Sequence, residues 1–139
     1  VSSVNEAPDH FKQAPDGTTY AGDHLLIELW DAEGLGDVDV VEQAIESAAH
    51  AASASILHAY YHHFGAGQGV SGVTVLAESH ISIHTWPERG YAAIDVFMCG
   101  DCDPTLTISA FEAAFRPRTI EQRLLRRGTP PSADIQSVA

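Results

Sequence analysis

The stretch from Glu78 to Cys99 holds most of the side chains able to do chemistry: the Ser79 hydroxyl, the imidazoles of His80 and His84, the Glu88 carboxylate, the Trp86 indole and the Cys99 thiol. Imidazole exchanges protons near neutral pH, and a thiol serves as nucleophile, metal ligand or acid according to its ionisation. A serine hydrolase would set its nucleophile in Gly-x-Ser-x-Gly. Ser79 lacks that frame, its nearest preceding glycine being Gly72. A zinc centre could draw on His58, His62, His63, His80 and His84. His58 and His62 are four apart, but they lie among residues that read as strand, and His-Glu-x-x-His is absent. Taken singly, each of these histidines is more often a hydrogen-bonded structural residue than a ligand. Cys99 and Cys102 lack the second ligand pair of a cysteine zinc site. Asp103-Pro104 opens a helix just after them, which leaves a redox pair as a lesser reading. The economical expectation is one working thiol, Cys99, and an incidental Cys102.

Side-chain parity indicates how these groups are held. Residues alternate faces along a strand, so Ser82, His84 and Trp86 share one face while Ile81, Ile83 and Thr85 share the other. Pro87-Glu88-Arg89-Gly90 is a turn, and Tyr91 to Cys99 returns as the second arm. Such a hairpin carries Cys99 back toward Ser79, the expected centre of the chemistry.

The remaining elements follow from periodicity. Asp23 to Trp30 reads as a strand with Leu25, Ile27 and Leu29 on one face and His24, Leu26, Glu28 and Trp30 on the other. Asp37 suits an N-cap, and Val38, Val41, Ile45, Ala48, Ala49 and Ala52 trace a helical stripe through residue 53. Ser55 to Phe64 and Val70 to Ala77 are strands around a glycine-rich turn that lacks the lysine of a phosphate loop. Asp103 and Pro104 start a second helix with Ile108, Phe111 and Phe115 inward, Pro117 ends it, and 118 to 126 is a last strand. The order β-α-β-β-β-β-α-β predicts an α+β fold: a two-layer sandwich of an antiparallel sheet with two helices on one face. The other face needs a cover, and a second copy is the simplest, which predicts a homodimer. Residues 1 to 19 read as a disordered or loosely docked extension, 20 to 127 as the single folded domain, and 128 to 139 as a flexible tail.

Composition narrows the class. The chain has 139 residues, 45% of them hydrophobic, and a net charge of −12 from 19 acidic against 7 basic residues. That balance argues against nucleic acid and suits cationic small molecules. Five of the seven basic residues fall between Arg116 and Arg127, a basic face offsetting the acidic remainder. No apolar run approaches the ~20 residues that cross a bilayer, and the N-terminus has no basic-then-apolar signal pattern. The expected compartment is the cytoplasm, with no membrane partner.

The combination of residues resembles the S-adenosylmethionine decarboxylase family in its short prokaryotic, pyruvoyl-dependent form. The resemblance rests on Gly22-x-His24 with the strand through Glu28, on Gly69-Val70-Ser71-Gly72, on Glu78-Ser79-His80-x-Ser82-Ile83-His84-Thr85-Trp86-Pro87-Glu88, on Gly90-Tyr91 through Asp95, and on Cys99-Gly100; it spans about residues 20 to 127. It implies self-cleavage between Glu78 and Ser79 into a β chain, 1 to 78, and an α chain, 79 to 139. Ser79 attacks the Glu78 carbonyl, the ester is lost by β-elimination with His84 as proton acceptor, and a pyruvoyl group remains at position 79. That group forms a Schiff base with the amine of S-adenosylmethionine and acts as the electron sink, with no metal and no pyridoxal phosphate. Cys99 matches the proton donor that quenches the carbanion after carbon dioxide leaves. The product would be decarboxylated S-adenosylmethionine for spermidine synthesis.

Phe64 and Trp86 match adenine-stacking rings, and Glu28, Ser71 and Glu88 polar or cation-facing contacts. Four features depart from the family pattern: Met98 in place of threonine, Asp23 in place of a basic residue, His63 in place of arginine, and a loop after Phe64 one residue longer. They touch the substrate surroundings, so an ornithine or arginine decarboxylase on the same scaffold is the alternative. From other classes stand an unprocessed, non-enzymatic homologue that binds a cationic ligand or a partner, and a metal-dependent hydrolase.

Overall fold

The computed structural model describes residues 9 to 131. Its main sheet has six antiparallel strands: β3 (Gly22–Trp30), β4 (Ile56–His63), β5 (Val70–Leu76), β6 (Ser79–Trp86), β7 (Tyr91–Cys99) and β8 (Thr119–Arg127). Two short strands, β1 (Lys12–Gln13) and β2 (Thr19–Tyr20), form a separate hairpin before them. The strand order is β4-β5-β6-β7-β3-β8. Strands β4 to β7 therefore run as a meander, and β3 enters between β7 and β8 through connections carrying α1 (Val38–Ala51) and α2 (Ile108–Phe115).

Parity holds as the sequence predicts. Leu25, Ile27 and Leu29 of β3, Ile81 and Ile83 of β6, and Ile94, Val96 and Met98 of β7 are buried on one face. They pack against Val41, Ile45 and Ala48 of α1 and Phe111 and Phe115 of α2 in a single core. Asp37 caps α1, its side chain accepting from the Asp39 and Val40 amides, which satisfies two otherwise unpaired donors. The second helix begins later than its proline suggests. Pro104–Thr107 forms a 3-10 turn capped by Asp103, and the α-helical part ends where Arg116 turns left-handed at φ 43° ahead of Pro117.

The opposite face has no helix over it among the described residues. Val73 and Val75 of β5 are 48% and 43% exposed there, beside Ser82, His84 and Trp86. Among the described residues, no helix is long and apolar enough to cross a membrane.

The N-terminal reading needs correction for its described part. From Asp9 on, residues expected to be disordered or loosely held are docked. Ala14 is buried, the Gly100 amide donates to the His10 carbonyl at 2.7 Å, and Lys12 pairs with Asp23 at 3.3 Å. Arg126 lies over the Tyr20 ring, 4.9 Å from its centre. Two-residue strands are too short to show a period, and contacts with distant residues hold them, so local sequence carries no sign of them. Residues 1 to 8 and 132 to 139 lie outside the described residues.

Candidate active site

The hairpin of β6 and β7 brings Ser79 and Cys99 together, because Ser79 pairs with Met98 across the ladder. The Ser79 hydroxyl donates to Cys99 Sγ at 3.7 Å. The Glu78 carbonyl oxygen accepts twice from the same residue, from the Cys99 amide at 3.0 Å and from its thiol at 3.2 Å. Two donors on one carbonyl oxygen polarise it and stand ready for the negative charge that builds there when a nucleophile adds. The Glu78 carboxylate is tied down separately, accepting from the Ser55 amide at 3.0 Å. Ser79 itself has φ 142°, a conformation that costs a non-glycine residue on the order of 1–3 kcal/mol. The strained torsion is the one immediately after the peptide bond between residues 78 and 79.

Cys102 takes no part in these contacts with Glu78 and Ser79. Burial, reinforced by the nearby Glu78 carboxylate, pushes its thiol pKa up, which favours a protonated bystander over a redox nucleophile.

The other end of β6 carries a second group. Ser71 and His84 Nδ1 are hydrogen-bonded at 2.9 Å. Phe64, Ser71, His84, Trp86 and Glu88 line one cavity of about 270 Å³, so five of the residues singled out in the sequence converge. Trp86 stacks on Tyr91 (centroids 5.2 Å apart, planes at 29°), and Tyr91 stacks on Trp30 at 4.4 Å. Glu28 opens instead into an adjoining cavity of about 250 Å³ that shares His84. It accepts from the Tyr91 hydroxyl. Burial and that carboxylate together push the Tyr91 pKa up to about 12, so the phenol stays a donor.

His84 and Ser79 do not meet within one chain. They stand five positions apart on an extended strand, a span of about 16 Å at ~3.3 Å per residue. Ser79 with Cys99, and His84 with the aromatic cavity, are two half-sites at opposite ends of β6.

Between them lies a cluster that residue-by-residue reading missed. Asp95 Oδ2 accepts from His24 Nε2 at 2.7 Å and His80 Nε2 at 2.9 Å, and Oδ1 accepts from the Ser82 hydroxyl. Arg127 donates to His24 Nδ1 at 3.0 Å, which fixes the His24 proton on Nε2. Parity puts all four cluster residues on one face, but their convergence depends on cross-strand register that sequence spacing does not supply. His24, His80 and Asp95 are close enough to bind a metal ion. Their geometry is instead that of protonated Nε2 atoms donating to a carboxylate, with a guanidinium on the only free lone pair of His24. Of the histidines weighed for zinc, His80 alone enters this group.

Fold and site together define a small α+β domain in which a Glu-Ser peptide, followed by a strained Ser79 torsion, has its carbonyl held by two donors beside a serine hydroxyl. Comparison with known proteins agrees. The family model described as S-adenosylmethionine decarboxylase matches residues 23–128. The S-adenosylmethionine decarboxylase proenzyme of Thermomicrobium roseum is 41% identical over 108 residues, covering 77% of this chain and 93% of that protein. The proenzyme of Methanococcus vannielii is 44% identical over 120 residues, covering 84% and 95%. The crystal structure of the adenosylmethionine decarboxylase from Aquifex aeolicus superposes with a TM-score of 0.72 at 30% identity, covering 81% of this chain and 95% of that one. The chain belongs to the S-adenosylmethionine decarboxylase family.

Proposed function

We propose that the chain cleaves itself between Glu78 and Ser79 and then decarboxylates S-adenosylmethionine. The observation that carries this reading is the Glu78 carbonyl held by the Cys99 amide and thiol beside the Ser79 hydroxyl. Ser79 Oγ adds to the Glu78 carbonyl carbon, the developing oxyanion is stabilised by both Cys99 donors, and the C–N bond breaks as the nitrogen takes a proton. An ester replaces the amide, and the strain at φ 142° is released with the bond. Removal of the Cα proton of residue 79 expels the main-chain carboxylate of Glu78, the new end of the first chain, and hydrolysis of the dehydroalanine releases ammonia and leaves the pyruvoyl group.

The residues fit that group: position 79 lies at a strand start, beside a thiol, with a φ of 142°. The pyruvoyl ketone supplies an acceptor for the substrate amine and for the electron pair left when carbon dioxide departs. Cys99, freed of the Glu78 carbonyl by cleavage, holds the proton that the substrate carbon then needs, and must be a thiol to give it. Phe64 and Trp86 offer faces for adenine, a type of stacking worth about 1–3 kcal/mol per base. Glu88 and the net charge of −12 suit a cationic sulfonium.

Elimination needs a base, and His84 of the same chain is about 16 Å away. We assign this role to His84 of a second copy, packed with its sheet face against this one. The uncovered face bearing Val73, Val75 and Trp86 supports such a homodimer, in which each Ser79–Cys99 end meets the other copy's His84 end.

The test is the intact mass of freshly purified protein. Two chains that divide at 78/79, the second carrying a pyruvoyl end trapped by borohydride in the presence of S-adenosylmethionine, are expected, with Ser79→Ala remaining whole. A wild-type chain that folds yet stays uncut overturns the reading. Release of carbon dioxide from ornithine or arginine in preference to S-adenosylmethionine would move it to the alternative substrates.

A further inference from the structure

The N-terminal hairpin lies outside the span of the family model, which starts at residue 23, yet it touches the reacting end. Lys12 Nζ donates to the Cys102 carbonyl oxygen and pairs with Asp23 at 3.3 Å, both side chains largely buried. Two residues earlier, the His10 carbonyl accepts from the Gly100 amide at 2.7 Å. The turn from Cys99 to Cys102 is thus gripped at Gly100 and at Cys102, on either side of the bend that starts at the working cysteine. Gly100 has φ 64°, and His10, Phe11, Glu78 and Cys99 line a common cavity of about 380 Å³. Asp23 is the ion-pair partner of Lys12. A negative charge there gives the hairpin's lysine something to hold.

We propose that Lys12 is a positioning residue for Cys99, so that this chain recruits its N-terminal hairpin to fix the turn on which the amide and thiol of Cys99 are presented to residues 78 and 79. The inference rests on the processing reading above. Lys12 touches no reacting atom; it acts through the Cys102 carbonyl and the Asp23 carboxylate. A turn free to shift by about 1 Å would misplace both Cys99 donors, and errors of that size cost up to ~10²-fold in rate.

The experiment compares Lys12→Ala, Lys12→Arg and Lys12→Gln in the full-length chain. Three quantities are read: the rate of cleavage during cell-free synthesis, kcat and KM for S-adenosylmethionine, and the rate of iodoacetamide labelling at Cys99 by peptide mass. Lys12→Ala is expected to slow cleavage and lower kcat by roughly tenfold, leave KM within about twofold, and label faster at Cys99. Lys12→Arg, which can serve both partners, restores wild-type behaviour. Lys12→Gln keeps a donor for the Cys102 carbonyl and falls between, and it carries the test if Lys12→Ala does not fold. Wild-type rates and labelling in Lys12→Ala overturn the proposal, as does a raised KM with unchanged kcat, or no recovery with arginine. Failure of the wild type to cleave would sink the processing reading instead, and labelling at Cys99 would still report whether Lys12 holds the turn.

Discussion

Cys99 makes two contacts with a single oxygen, and they differ in what a substitution removes. The amide bond to the Glu78 carbonyl survives any side chain, whereas the thiol contact at 3.2 Å does not. Because S–H is a weak donor, Cys99→Ala should cleave more slowly but still completely, by intact mass. Turnover should fall by ~10²-fold or more, the usual worth of a placed proton donor, measured as carbon dioxide released per pyruvoyl end. Normal turnover in the cleaved variant would remove Cys99 from the protonation step. The residue types of this site were legible in the sequence because two strands joined by one tight turn suffice to bring Ser79 near Cys99. The amide that helps polarise Glu78 was not, since every residue has one and its direction comes from the fold. The left-handed Ser79 was hidden for a related reason: no glycine marks it.

At the scale of elements, Asp95 ties three neighbouring strands together through His24 of β3, Ser82 and His80 of β6, and its own β7. His80 follows Ser79, so under the proposed cleavage this clasp anchors β6 just where the cut would leave it free. Burial alone would raise the Asp95 pKa, but the hydrogen bonds from Ser82, His24 and His80 outweigh it and the pKa is lowered. A carboxyl whose pKa is lower folded than unfolded adds stability that is complete above the unfolded value, ~3.9, and is lost as pH falls through the folded one. Asp95→Asn should therefore cost about 1–3 kcal/mol near neutral pH, with the gap to wild type in urea midpoints narrowing below about pH 4. A gap that stays constant down to pH 3 would show that the carboxylate's charge is not what the clasp uses. Each strand and its inward face could be read from alternation, as at Leu25, Ile27 and Leu29. The order of strands could not: β3 reaches β7 and β8 only through the two helical connections, so the meeting of His24 with Asp95 is a property of topology and invisible in spacing.

For the whole molecule, the decisive fact is the length of β6. One strand carries Ser79 at its start and His84 five positions on, too far apart to cooperate within a chain, while the face bearing His84 and Trp86 lacks a helix among the described residues. A pair of chains related by a two-fold axis and packed through these faces can place each Ser79 against the other's His84, giving two equivalent composite sites. Complementation distinguishes that arrangement from a site contained in one chain. In a mixed dimer of Ser79→Ala and His84→Ala chains, one site lacks both groups and the other has both. Each variant alone should remain uncut. Co-expressed with distinguishable tags, they should yield cleavage of the His84→Ala chain only, because it alone keeps the Ser79 hydroxyl and takes its base from its partner. Decarboxylase activity should return to no more than about half of the wild-type value per dimer. Cleavage of His84→Ala expressed alone would show that His84 is not the base, and a co-purified mixed dimer that stays whole would show that the two ends of β6 do not meet across the interface.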